Sequence, residues 1–132
     1  MRLTREQGRA LAVLAGGGAG ALARAGVGRA VPVHKGGWPW ATFGVNVAGS
    51  LLRAWLTTRL TEVVAPTRYL RFLLGTGFCG ALTTFSTFQV ETIRLARDGH
   101  AEVAAGYAAA SLTAGMLVVV AASVVTRRRR YG

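Results

Sequence analysis

From Val103 to Thr126 the chain carries no charged side chain. Such a run meets the requirement of a bilayer-crossing helix, which needs about 20 mostly apolar residues. Lipid offers the backbone no hydrogen-bond partners, so a spanning segment must satisfy its own amides as a helix or close into a barrel. Three more weakly charged segments precede it: Ala10 to Val31, Trp38 to Thr58 with Arg53 inside it, and Phe72 to Val90. The first is strictly apolar only from Ala10 to Ala23, so Arg24 must snorkel or face protein. The reading is an all-α membrane protein with four transmembrane helices, at about 10–31, 38–60, 71–91 and 102–126, in one domain over residues 1–132. Composition supports it. Hydrophobic residues make up 52% and charged residues 16%, against about 25% charged in soluble domains. A disordered chain would be polar. The single cysteine, Cys79, excludes a disulfide framework and a cysteine-based zinc site.

The net charge of +11 raises the question of nucleic acid, and placement decides it. The cations cluster between apolar segments, and the run Arg127 to Arg130 directly follows the fourth. That is the pattern of a cytoplasmic anchor facing anionic lipid. A nucleic-acid surface would interleave aromatics with its cations, and none are interleaved here, so nucleic acid is not an expected partner. With four spans, both termini and the second loop share one side. That side holds Arg2, Arg5, Arg9, Arg59, Arg68, Arg71 and the four terminal arginines, ten in all. The other holds five: Arg24, Arg29, Lys35, Arg94 and Arg97. The bias puts the termini in the cytoplasm and the protein in the inner (plasma) membrane. Met1 to Ala25 also has the basic start and apolar middle of a signal peptide. Removing it would still leave three spans.

Three segments carry unusual residues. Gly16 and Gly20 form a small-xxx-small pair that lets another backbone approach closely. Gly44 and Ala48 form a second such pair around Asn46, whose amide is costly in hydrocarbon unless partnered. The third segment runs Gly75-Thr76-Gly77-Phe78-Cys79-Gly80-Ala81-Leu82-Thr83-Thr84-Phe85-Ser86-Thr87-Phe88, followed by Glu91. Its glycines disfavour a continuous helix, and a break near 77–84 would bare carbonyls at membrane depth. Bared carbonyls are tolerated only when buried in protein or coordinating something. Phe85 and Phe88 share one helical face, and so do Thr84, Thr87 and Glu91. In the fourth segment Gly106, Ala110 and Ala114 read as packing. Tyr107, Ser111 and Gly115 line an adjacent face that puts hydroxyls beside either a pathway or a neighbouring helix.

These motifs, in this order, resemble those of the small bacterial fluoride channels of the Fluc (CrcB) family. The likeness spans nearly the whole chain, with Ala81 and Arg53 as departures from the family pattern. It implies a passive, fluoride-selective channel that exports F⁻ and relieves its toxicity. It further implies an antiparallel, dual-topology-type dimer of four-helix subunits with a broken third helix and two pores at the interface. By motif, Phe85 and Phe88 become pore-lining aromatics and Asn46 an amide donor. Thr84, Ser86, Thr87, Tyr107 and Ser111 become the polar lining, and Arg24 shapes the vestibule. The carbonyls of Gly80 and Thr83 become ligands of a central structural Na⁺. The expected partners are fluoride, the lipid bilayer and a second subunit. The strong charge bias suits a fixed orientation and a heterodimer with an oppositely oriented paralogue, and a homodimer is the other expectation.

The residue types suit the ion. Fluoride is strongly hydrated, and unaided desolvation costs several kcal/mol, on the order of 20 in the Born limit. Amide N–H and hydroxyl O–H groups replace water as donors, and phenyl edges are weakly electropositive. A full charge alongside would hold the ion too tightly for conduction. The rival reading is a small four-helix proton-coupled multidrug exporter, which needs a membrane-embedded carboxylate; the first segment has none. A non-conducting assembly subunit would leave the Thr, Ser and Phe cluster unexplained. An enzyme is not expected, because His34 and His100 fall in loops beside no nucleophile or metal cluster.

Overall fold

The computed structural model describes residues 4–60 and 68–128; Arg2, Arg129 and Arg130 of the basic clusters lie outside them. Among the described residues there is no strand, and the helices follow one another in four runs. The first is α1 (Arg5–Ala30) and the second α2 (Trp40–Leu60). The third is composite: α3 (Arg68–Leu70), a π-helical stretch (Arg71–Cys79), α4 (Gly80–Leu82) and α5 (Phe85–Arg97). The last is α6 (Ala101–Arg128).

Local chemistry fixes the ends. Thr4 opens α1 with a capping box: its hydroxyl accepts from Gln7 N–H, and the Gln7 side chain accepts from Thr4 N–H. Gly99, at φ +87°, closes α5. His100 N–H reaches back to Leu95 C=O at 2.8 Å and Gly99 N–H to Ala96 C=O at 3.4 Å, a Schellman pairing that only glycine enters without strain. Helix α5 therefore runs six residues past Glu91 before it stops.

Packing follows the small residues. Helix α1 lies along the π-helical stretch and α4, α2 along α6, and α5 along α6. Gly16 and Gly20 are buried. A Cβ on either would run into backbone, at Leu73 O and Phe78 O respectively. Gly77 answers from the other side, where a Cβ would sit 2.7 Å from Val13 O. Gly44, by contrast, faces open space, and neither it nor Ala48 packs tightly inside the subunit. The buried apolar cluster is Phe88, Leu95, Ala104 and Tyr107, with Trp38, Phe43, Val103 and Ala108 around it.

Much of the rest of the surface is apolar. Leu22 is 76% exposed, Met116 73% and Leu14 70%. Faces of that kind are stable only against lipid or another protein surface. Helix α1 and residues Ala101–Thr126 of α6 are both long and apolar enough to cross a membrane.

Candidate functional site

Between α4 and α5 the backbone is extended for two residues, Thr83 and Thr84. The backbone groups freed there must find partners. Thr83 N–H returns to Cys79 C=O at 3.1 Å, and the Thr83 hydroxyl donates to the same oxygen at 2.9 Å. Thr84 is served by Asn46 from α2. Its N–H donates to Asn46 Oδ1 at 2.7 Å, and its C=O accepts from Asn46 Nδ2 at 3.0 Å. The side-chain amide thus mimics a neighbouring strand for one buried residue. The Thr84 hydroxyl then caps α5, accepting from Thr87 N–H at 3.2 Å and donating to Thr87 Oγ1 at 3.0 Å. Ser86 Oγ stands 3.3 Å from the same hydroxyl and is exposed.

Asn46 retains a second amide hydrogen beyond the bond to Thr84. It lines a small cleft of about 90 Å³ with Ser50, Phe85, Phe88, Ser111, Leu112 and Gly115. Ser111 Oγ is buried there and has no partner among the described residues. The Phe85 and Phe88 rings lie 5.7 Å apart, and Phe88 is 5.2 Å from Tyr107. Phe88 is buried, whereas Phe85 is 65% exposed and stands on the open face of the subunit.

Arg24 sits in a second cleft, about 330 Å³, together with Thr42, Thr84, Thr87 and Glu91. Glu91 accepts from the Thr42 hydroxyl at 2.8 Å through Oε1 and from the Tyr107 hydroxyl at 2.9 Å through Oε2. Tyr107 is fully buried beneath Trp38, edge to ring at 5.5 Å. Its hydroxyl is therefore committed to Glu91. A third cleft, of about 280 Å³, joins Asn46, Gly49, Ser50, Arg53, Thr83, Thr84 and Phe85. Gly80 is exposed on α4, with nothing near the place of a Cβ.

The structure therefore brings Asn46, Phe85, Phe88 and Ser111 around one cleft, and Arg24, Thr84 and Thr87 around the next. It links Ser86 to Thr84, and Tyr107 to both clefts through Phe88 and Glu91. Sequence reasoning put Glu91 on the face of Thr84 and Thr87 without giving it a role, and it missed Thr42 and Ser50 as members. The signal was present on α2, where Thr42, Asn46 and Ser50 recur every four residues and so share one face.

Comparison with known proteins decides the family. The family model described as CrcB-like protein, Camphor Resistance (CrcB), matches residues 11–123. The chain belongs to this CrcB family. Over 119 residues it is 51% identical to fluoride-specific ion channel FluC 1 of Mycobacterium bovis, covering 90% of each chain. The protein of the same name from Mycolicibacterium paratuberculosis is 49% identical over 119 residues, again 90% of each. Fluoride-specific ion channel FluC of Chlorobaculum tepidum is 42% identical over 117 residues, 89% of this chain and 93% of that one. CrcB membership, together with the two long apolar helices, makes the chain an all-α membrane protein.

Proposed function

We propose that the protein is a passive, fluoride-selective channel of the inner membrane that lets F⁻ leave the cytoplasm. The observation that carries this reading is the cleft in which the neutral donors of Asn46, Ser50 and Ser111 face Phe85 and Phe88 with no carboxylate in the lining. It occurs in a chain half identical to a relative named for fluoride. Stripping water from a small anion demands replacement donors, and those three side chains supply N–H and O–H groups. Ser111 Oγ, buried and with no partner among the described residues, is a donor open to an acceptor. The positive edges of Phe85 and Phe88 complete the lining without a full charge. Weak multi-site binding of this kind permits exit as well as entry.

Around the cleft the remaining residues take supporting roles. Arg24 makes the adjoining vestibule attractive to anions, and Thr84, Ser86 and Thr87 extend the chain of hydroxyls. Tyr107, tied to Glu91, fixes the wall behind Phe88. The open face bearing Phe85, Gly44 and Ala48 is the surface for a second subunit, inverted relative to the first, so that two pores form along the interface. The extended pair Thr83–Thr84 is the break of the third transmembrane helix. The C-terminal carbonyls of α4 have no following helical turn to donate to them, and oxygen donors of that kind suit a hard monovalent cation. Gly80 and Thr83 are the residues whose carbonyls would hold Na⁺, which adds fixed positive potential between the pores when bound. The charge bias orients both termini to the cytoplasm and favours an oppositely oriented paralogue as the second subunit.

Purified protein in liposomes loaded with fluoride tests the proposal, alone and mixed with a paralogous subunit. Fluoride efflux without chloride efflux and without dependence on a proton gradient is the expected result. Flux coupled to protons would instead point to Glu91 as the working carboxylate of an exporter. Vesicles that retain their fluoride in both preparations remove the channel reading.

A further inference from the structure

We propose that Arg53 builds an anion site, fitted to a small monovalent anion such as fluoride, at the end of a donor-lined groove opposite the buried Ser111 hydroxyl. Arg53 follows Asn46 by seven residues and Ser50 by three, so all three point from one face of α2. It lines the 280 Å³ cleft with Asn46, Gly49, Ser50, Thr83, Thr84 and Phe85. Asn46, Ser50 and Phe85 also line the smaller cleft that holds Phe88 and Ser111. Sharing three residues, the two cavities form one groove leading from the guanidinium to the buried Ser111 hydroxyl.

The lining chemistry points to an anion. Among the described residues Arg53 is the one charged member of its cleft, and its neighbours are an amide, hydroxyls and a phenyl ring. The other two sizeable clefts differ. The one beside Arg24 contains Glu91, and the one beside Lys35 and Arg94 contains Glu91 and Asp98. In those the cations meet carboxylates. A guanidinium within a membrane-crossing helix carries a cost that a counter-charge relieves, and no described side chain lining this cleft supplies one. Asn46 and Ser50 are placed to donate to an ion drawn there, so the charge and the neutral donors act on the same guest. The Arg24 cleft shares only Thr84 with that of Arg53. Arg53 raises the local anion concentration and fills the groove at low fluoride. The same charge slows release, since conduction needs an ion that leaves.

This inference rests on the reading of the groove as a fluoride path, and the test separates the two. Fluoride efflux from liposomes is measured against fluoride concentration for the parent, Arg53→Lys and Arg53→Leu, with Arg53→Gln as the substitute if the leucine variant does not fold. Fluoride-induced thermal stabilisation of each protein in detergent is measured in parallel. Loss of the charge is expected to raise the half-saturating fluoride by about tenfold, the equivalent of about 1.4 kcal/mol, with the ceiling flux equal or higher. The lysine variant should stay near the parent, and the difference should shrink in concentrated impermeant salt. A merely structural role would lower the yield of folded protein and the ceiling without moving half-saturation. Equal half-saturation and equal thermal shifts in the parent and the neutral variants overturn the anion site while leaving the channel intact. If the parent passes no fluoride, the channel reading fails and the thermal shift alone judges the site: stabilisation no greater in the parent than in Arg53→Leu overturns it.

Discussion

Replacing Asn46 by alanine removes both bonds that hold Thr84 in its extended conformation. Thr84 is buried, at 7% exposure, so water does not readily replace the lost partners. Leaving a buried backbone donor or acceptor unsatisfied costs about 1–3 kcal/mol. Two such groups are orphaned, so the junction between α4 and α5 loses roughly 2–6 kcal/mol if nothing relaxes. The Thr84 amide alone reports its own share. A loss of about 1–3 kcal/mol of protection speeds its exchange with deuterium by roughly 5- to 150-fold. Asn46→Asp is the informative companion. It keeps an acceptor for Thr84 N–H but turns a carboxylate toward Thr84 C=O, so it should protect the amide more than alanine does while still abolishing fluoride flux. Mass-spectrometric exchange on the detergent-solubilised protein, resolved to the Thr83–Phe88 peptide, makes the measurement. Parent-like exchange at Thr84 in Asn46→Ala would mean that the amide does not hold this junction, and the structural account of Asn46 would fail.

Gly16→Leu and Gly20→Leu should abolish folded protein, because the new side chain meets backbone at Leu73 and Phe78, whereas Gly18→Leu, which faces open space, should purify as the parent does; size-exclusion yield distinguishes them. Glu91→Gln takes the charge from the bond between the two residues and Tyr107→Phe removes its donor, in a bond worth about 1.5–3 kcal/mol when charged. The double variant should cost clearly less than the sum of the singles in thermal unfolding, and additivity would refute the coupling. Phe88→Ile keeps an apolar side chain but removes the ring packed against Phe85 and Tyr107; fluoride flux should fall at least tenfold, about 1.4 kcal/mol or more in barrier, with the oligomer unchanged by size-exclusion chromatography.

The limits of local reading show at particular residues. Gly16 and Gly20 pack as their spacing suggests, yet the spacing of Gly44 and Ala48 is equally good and that face stays open inside the subunit. Spacing shows that a close approach is possible, and only the neighbouring helix decides whether it happens. Glu91 looks like the polar end of an apolar segment, but the helix continues to Arg97 and the carboxylate is held between Thr42 and Tyr107. The π-helical winding of Arg71–Cys79 has no signature in hydropathy. Tyr107, readable as one hydroxyl of a polar stripe, has its hydroxyl taken by Glu91.

The sequence by itself determined that the chain is helical and membrane-embedded, because long uncharged runs in lipid have no other way to satisfy their amides. The glycines of the third run suggested an interruption near 77–84, yet the chain stays helical through Gly75, Gly77 and Gly80 and is extended only at Thr83 and Thr84. Only the tertiary structure decided which polar group meets which. Asn46 finds Thr84 38 positions away in the sequence, and Thr42 finds Glu91 49 positions away. Such pairings depend on the rotation and offset of whole helices, which short-range preferences leave free and which packing of the full bundle fixes.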